Sequence, residues 1–144
     1  MSEGAAEAVE TALRALRHRD LSARELDERL RAKGFGESAR DEALETLART
    51  GLLDDARFAE SRVRSLAARG AGDAAIRHAL RLAGVEGSMV EDALATLGPE
   101  EHRAAAIVER RGMGPKTARY LRGKGFSEEV VAGLVAGESA RELG

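Results

Sequence analysis

The sequence contains no cysteine, only two prolines and few aromatic residues, and it has no long hydrophobic run. The lack of cysteine excludes disulfides and thiolate metal sites. An aromatic content of 3% argues against an aromatic-lined ligand pocket. No stretch reaches the about 18 apolar residues that a membrane-spanning helix needs, and the N-terminus has no apolar signal segment. We therefore expect a soluble cytoplasmic protein without membrane contact.

Patterns that support catalysis or metal binding are missing as well. The histidines His18, His78 and His102 are scattered without ligand-like spacing. Asp54 and Asp55 are adjacent, so on a helix they point about 100° apart, and we interpret them as an N-cap and a first-turn acid. There is no Walker loop and no nucleophile–histidine pattern. The sequence predicts a binding protein, without metal, cofactor or catalytic residues.

Alanine, leucine, arginine and glutamate dominate the composition, and all four favour helices. Apolar residues recur with helical spacing, for example at Val9, Ala12, Leu13 and Leu16. The pattern predicts an all-α protein with helices near 4–18, 22–33, 38–50, 54–69, 73–83, 88–97, 100–111, 116–124 and 128–136. The predicted N-caps are Ser22, Ser38, Asp54, Asp73, Ser88 and Ser127.

The chain repeats itself. Shifts of 50 and then 41 residues align Leu30, Leu80 and Leu121, and they also align Gly34, Gly84 and Gly125, which we assign to left-handed turns after helices. We predict three tandem three-helix repeats, at 1–53, 54–98 and 99–144. The first helix of the third repeat is shortened and begins at Pro99. Because stacked units share their cores, we expect an elongated, curved rod without a deep pocket.

Charge is unevenly distributed within the repeats. The net charge is −2, but arginines recur at equivalent positions, whereas the third helices are acidic. Arginine suits phosphates and carboxylates. The pattern is also compatible with a solvated face of i,i+4 ion pairs, copied by repeat duplication. The candidate partner- or DNA-binding residues are Arg19, Arg31, Arg62, Arg69, Arg77, Arg81, Arg103, Arg110, Arg111, Lys116, Arg119 and Arg122.

The segment from Arg111 to Ala118 reads Arg-Gly-Met-Gly-Pro-Lys-Thr-Ala. It resembles the hairpin of helix-hairpin-helix DNA-binding proteins, in which a Gly-x-Gly turn and a helix N-terminus approach a phosphate. Arg111, Lys116 and Arg119 surround the turn. The segment also falls between the first two helices of repeat three, where the fold needs glycine in any case. Both interpretations stay open.

Longer segments resemble a known family. The residues from Leu16 to Leu26, continuing to Gly34 and Phe35, are similar to the opening of the RecX family of regulatory proteins. Gly51–Ala59 and Tyr120–Phe126 are similar to later parts of that family, so the resemblance covers residues 9–136. It implies a three-repeat helical protein that binds the RecA filament on single- or double-stranded DNA.

The resemblance further implies inhibition of strand exchange and ATP hydrolysis, and a role in homologous recombination, DNA repair and the SOS response. The shortened third repeat departs from the family. Phe58 and Tyr120 are candidate partner anchors, although core packing is the favoured interpretation of Phe58. The competing hypotheses are a direct DNA-binding protein that uses residues 111–119 and a helical protein-interaction scaffold. We expect a monomer.

Overall fold

The computed structural model describes the backbone of residues 2–143 and the side chains of residues 2–136. Within this part the chain is all-α and has no strand, which confirms the predicted fold class. The helices are α1 (Ala5–His18), α2 (Ala23–Ala32), α3 (Glu37–Arg49), α4 (Asp55–Ala68), α5 (Asp73–Leu82), α6 (Gly87–Leu94), α7 (Glu100–Arg111), α8 (Pro115–Gly123) and α9 (Glu128–Leu143).

Three of the predicted N-caps are confirmed. The side chain of Ser22 accepts a hydrogen bond from the Glu25 N–H, and the Glu25 carboxylate accepts one from the Ser22 N–H, which completes a capping box. The Asp54 carboxylate accepts from the Arg57 N–H at 3.1 Å, and the Ser127 hydroxyl accepts from the Val130 N–H at 3.1 Å. These side chains satisfy backbone donors that the first helical turn leaves free.

The predictions for Ser38, Asp73 and Ser88 are wrong, because each of these residues lies inside its helix. Gly36 is the N-cap of α3, and Asp73 is the first residue of α5. Immediately before α6, the Glu86 carboxylate accepts hydrogen bonds from the Ser88 N–H and hydroxyl. Glu86 therefore has the capping role that was predicted for Ser88. In each case a polar residue in the first turn resembles a cap in sequence but lies too far along the chain.

The predicted left-handed turns are confirmed. Gly34, Gly84 and Gly125 have φ values of 94°, 82° and 92°, a conformation that glycine adopts without steric cost. The residue after two of these glycines returns an N–H to the preceding helix, from Phe35 to the Leu30 carbonyl and from Phe126 to the Leu121 carbonyl. The helix ends are therefore closed in the same way in different repeats.

The chain divides into two compact units. Unit 1 comprises Met1–Ala59 with Arg81–Val90, and unit 2 comprises Glu60–Leu80 with Glu91–Gly144. The core of unit 1 combines small alanines of α1 with leucines of α2 and α3. Fully buried side chains of this core include Ala8, Ala12, Leu26, Leu30 and Leu47. Phe58 is also buried in unit 1, at 2% exposure, which confirms its interpretation as a core residue.

Helices α7, α8 and α9 supply one core cluster of unit 2. Ile107, Leu121, Phe126 and Val131 are buried there. Helix α7 has 12 residues and α4 has 14, so the first helix of the third repeat is shorter, as its position after Pro99 predicts. The divisions between the two units fall inside α4, α5 and α6. The boundaries of the three repeats stay a prediction.

Candidate nucleic-acid and partner interface

In unit 1, the turn between α1 and α2 contacts the turn between α5 and α6. The Ser22 hydroxyl donates to the Ala83 carbonyl at 2.5 Å, and the Ser22 residue is fully buried. The Ala23 N–H donates to the Asp55 carboxylate at 2.8 Å. One serine therefore caps its own helix and also ties it to a turn 61 residues away. Asp55 is a first-turn acid, as expected, and it links α4 to α2.

In unit 2, the turn between α4 and α5 contacts the turn between α8 and α9 in the corresponding way. The Gly72 N–H donates to the Lys124 carbonyl at 2.7 Å, and the Ala74 N–H donates to the Gly125 carbonyl at 3.2 Å. The shifts of 50 and 41 residues make Gly72 equivalent to Ser22, and Lys124 equivalent to Ala83. The same turn-to-turn contact is thus made once in each unit, by a hydroxyl in one and by a backbone amide in the other.

Arg103, a predicted binding residue, lies within the second of these contacts. Both terminal nitrogens of its guanidinium donate to the Asp73 carboxylate at 2.8 Å, and one also donates to the Ala71 carbonyl at 3.3 Å. The guanidinium carbon is 5.9 Å from the centre of the Phe126 ring. The side chain is only 17% exposed. Its head group is therefore used inside unit 2, where it joins α7 to the start of α5.

Three other predicted arginines form ion pairs with acids of their own repeat. Arg77 makes two hydrogen bonds to Glu91, at 2.9 and 3.0 Å, and Arg122 makes two to Glu128, at 2.7 and 2.8 Å. Arg31 lies 3.7 Å from Asp27 and stays 65% exposed. These pairs are exposed, so each stabilises the fold only weakly. The alternative interpretation as i,i+4 ion pairs applies to Arg31 alone among these three, because the other two pairs join different helices.

The Arg122 guanidinium also changes the acidity of its partner. Its hydrogen bonds to Glu128 stabilise the carboxylate, which lowers the pKa of Glu128 below the ordinary range of glutamate. The pKa of Arg122 is raised for the same reason. Both groups are charged at neutral pH, so the pair links α8 to α9 under physiological conditions.

Six predicted cations are exposed, and neither an ion-pair partner nor a ring contact is seen for any of them among the side chains of residues 2–136. Two belong to unit 1 and four to unit 2. Arg62, by contrast, is half-buried. The six are Arg19, Arg81, Arg69, Arg110, Lys116 and Arg119.

Part of the positive charge of unit 2 gathers around the turn between α4 and α5. The position that a Cβ would occupy at Gly70 is 3.6 Å from both the Lys124 Cε and the Tyr120 hydroxyl. The Arg111 guanidinium stacks on the Tyr120 ring, with its carbon 3.7 Å from the ring centre. Tyr120 is therefore half-buried beneath an arginine. Lys124 was missing from the predicted set, because only the fold brings the α8–α9 turn to Gly70.

The Gly-x-Gly segment has the geometry of a tight turn into α8. Gly112 has φ 82° and ψ 157°, a region reserved for glycine, whereas Gly114 is extended. Pro115 is the first residue of α8, and no side chain caps this helix. The Thr117 hydroxyl donates to the Gly112 carbonyl at 2.6 Å and is buried. The fold thus requires Gly112, while the first turn of α8 keeps its N–H groups uncapped by side chains.

The acidic third helices are only partly engaged. The Glu42 carboxylate accepts the Ser2 N–H at 2.8 and 3.0 Å, and Glu91 binds Arg77. Glu37, Asp41 and Glu45 are exposed on α3.

Among the residues that the structure describes, no group of three or more metal-ligating side chains is found. In the same part of the chain, no helix is long and apolar enough to cross a bilayer.

The chain is similar to known proteins over nearly its whole length. Residues 8–47 match the family model of the first three-helix domain of RecX, and residues 54–94 match that of the second. Solved structures of similar fold include RecX from Lactobacillus salivarius, with a TM-score of 0.78 and 21% identity over 94% of this chain and 97% of that one. The crystal structure of another regulatory protein RecX has a TM-score of 0.75 and 24% identity, and the match covers 90% of this chain and 70% of that one.

Sequence relatives are more similar still. The regulatory protein RecX of Chromohalobacter salexigens is 38% identical, and the match covers 94% of this chain and 95% of the relative. That of Halorhodospira halophila is 34% identical over 100% and 98% of the two chains. With this similarity, the tandem three-helix architecture and the matched domains, the chain belongs to the RecX family of regulatory proteins.

Proposed function

We propose that this protein is a non-enzymatic regulator of homologous recombination that binds the RecA–DNA filament and inhibits its assembly, ATP hydrolysis and strand exchange. The observation that carries the proposal is the full-length similarity to proteins named regulatory protein RecX. The expected partners are RecA and the phosphates of single- or double-stranded DNA. The expected site of action is the cytoplasm.

The charge distribution supports a nucleoprotein partner. Exposed arginines and lysines that lack an internal acid can exchange their hydration and counterions for phosphates. Acidic side chains such as Asp41 and Glu45 remain exposed on α3 of unit 1 and can meet basic groups of a protein partner. The proposed ionic contacts with the partner do not include Arg103, because its guanidinium is already bonded to Asp73.

A second candidate is direct DNA binding through residues 111–119. The observation that favours it is local to α8: its first turn has no side-chain cap, and Lys116 and Arg119 are exposed beside it. Uncapped N–H groups and nearby cations attract a phosphate. This activity would not need RecA.

A titration of RecA filaments separates these functions. RecA is assembled on single-stranded DNA with ATP, and the rate of ATP hydrolysis and the filament length are measured as this protein is added. We expect both to fall at micromolar or lower concentrations. If neither quantity changes at micromolar protein, the regulator hypothesis is wrong. Binding to the same DNA without RecA, measured by fluorescence anisotropy, tests the second candidate.

Charge removal then locates the DNA contact. We expect the double variant Lys116→Ala, Arg119→Ala to weaken binding to bare single-stranded DNA. Loss of two phosphate contacts should make the slope of log K against log salt shallower by about 1.4. The control is Arg29→Ala, Lys33→Ala, which removes the same charge from exposed positions of unit 1. Equal effects of the two double variants would indicate a response to net charge, without a local site.

A further inference from the structure

A groove on unit 2 lies beside the turn between α4 and α5, with a volume of about 440 Å³. Its lining is mostly apolar and consists largely of small residues, so space is left where longer side chains would fill it. The apolar lining comes from Ala67, Ala68, Gly70, Ala106, Ile107 and Phe126. Ala68 and Ala106 are exposed, although they belong to unit 2's packed helices. The groove is thus an open apolar surface.

The charges at the groove are predominantly positive. Arg110 lines the groove and is exposed. The Lys124 Cε lies 3.6 Å from the position that a Cβ would occupy at Gly70. Arg69 precedes Gly70 and is exposed as well. Glu109 is the only acid in the lining. Arg103 also lines the groove, but Asp73 neutralises it. An occupant therefore meets an apolar floor and uncompensated cations at the edge.

We propose that this groove binds a segment of the protein partner in which an apolar side chain stands next to carboxylates. The inference rests on the proposed function and names the surface of unit 2 that meets the protein component of the filament. An apolar side chain gains free energy by leaving water for the alanine and phenylalanine lining. The adjacent carboxylates pair with Arg110 and Lys124. A DNA backbone complements the cations but leaves the apolar lining unused, so a protein segment fits both features.

Filling the groove with a large side chain tests the proposal. Ala106→Trp places an indole in the groove from an exposed position of α7, so the fold can accommodate it. Ala105→Trp is the matched control, because Ala105 is exposed on the same helix but does not line the groove. Helicity of both variants is checked by circular dichroism.

Each variant is titrated into RecA filaments, with ATP hydrolysis as the readout, and into fluorescent single-stranded DNA without RecA. We expect Ala106→Trp to raise the half-inhibitory concentration at least about tenfold, the effect of losing one buried anchor. Its affinity for bare DNA should stay within about twofold of wild type, and Ala105→Trp should match wild type in both assays.

The outcomes separate the possible errors. If Ala106→Trp inhibits as well as wild type, or if Ala105→Trp is equally impaired, the groove is not the partner site. If Ala106→Trp loses affinity for bare DNA to the same extent, the groove holds nucleic acid and the proposal is overturned in favour of that ligand. If wild-type protein leaves the filaments unaffected, the proposed function fails, and the role of the groove fails with it.

Discussion

Replacement of Gly72 by alanine tests the turn-to-turn contact in unit 2. A Cβ at this position would lie 2.4 Å from both the Gly125 carbonyl carbon and the Phe126 nitrogen. Both are backbone atoms, so no side chain can rotate away. The φ of Gly72 is not in the left-handed region, which means that close approach is the only reason for glycine here. The added methyl group must push the two turns apart.

The cost has two parts. Overpacking by one methyl group costs about 1–3 kcal/mol. Separation of the turns also weakens the bond from the Gly72 N–H to the Lys124 carbonyl, and an unsatisfied buried group costs about 1–3 kcal/mol. We expect a total of about 2–4 kcal/mol, because the turns relax partly. For a chain of this size, that lowers the melting temperature by about 5–15 °C.

Thermal unfolding followed by circular dichroism measures this effect. The control is Gly133→Ala, which also lies in unit 2. Gly133 is within α9, and an added Cβ there has no neighbour within 4 Å. We expect this control to be stabilised by about 0.4–1 kcal/mol, because alanine restricts the unfolded chain. If Gly72→Ala melts within about 2 °C of wild type, the contact does not hold the two turns together as described.

Two further predictions concern single side chains. Ser22→Ala removes an N-cap and leaves the Ala83 carbonyl without its donor, so we expect the free energy of unfolding, measured with urea, to fall by about 1–3 kcal/mol. A fall below about 0.5 kcal/mol would mean that Ser22 contributes at most its cap of α2 and that its hydrogen bond to Ala83 does not stabilise the fold. By NMR titration, the pKa of Glu128 should lie below its ordinary value of about 4.3, and Arg122→Ala should return it to that value. The pair's contribution to stability is therefore complete above that ordinary value and is lost as pH falls through the lowered pKa; an unchanged pKa in the variant would exclude Arg122 as the cause.

Helix positions follow closely from local sequence, because they depend on apolar spacing and on residues within one turn. The prediction 88–97 for α6 is too long at its C-terminus. Ala95 still bonds to the Glu91 carbonyl, but Thr96 and Leu97 bond only three residues back, so the helix tightens and ends at Leu94. The first-turn residues Ser38 and Ser88 show a second limit. A hydroxyl one residue inside a helix looks the same in sequence as a true cap.

The arginines show where sequence equivalence stops being informative. Arg103 occupies the same position of the repeat as Arg62. Its guanidinium is bonded to Asp73, because the start of α5 presents a carboxylate there. Arg31, Arg81 and Arg122 also share a position. Arg31 and Arg122 have acidic partners, and none is seen for Arg81 among the described side chains. A set of equivalent arginines therefore contains side chains that form ion pairs within the fold as well as one for which no such pair is seen.

The sequence by itself determined the all-α class, the glycine turns and the family, since these depend on periodicity, local backbone preference and residue order. Only the tertiary structure decided that Ser22 and Gly72 hold equivalent contacts between turns and that Lys124 joins the cations around Gly70. It also decided that small residues from α4 and α7 leave a groove in unit 2. These features arise from residues distant in the chain, and the charge, space and hydrogen-bond partners that each side chain meets are set by its neighbours in three dimensions.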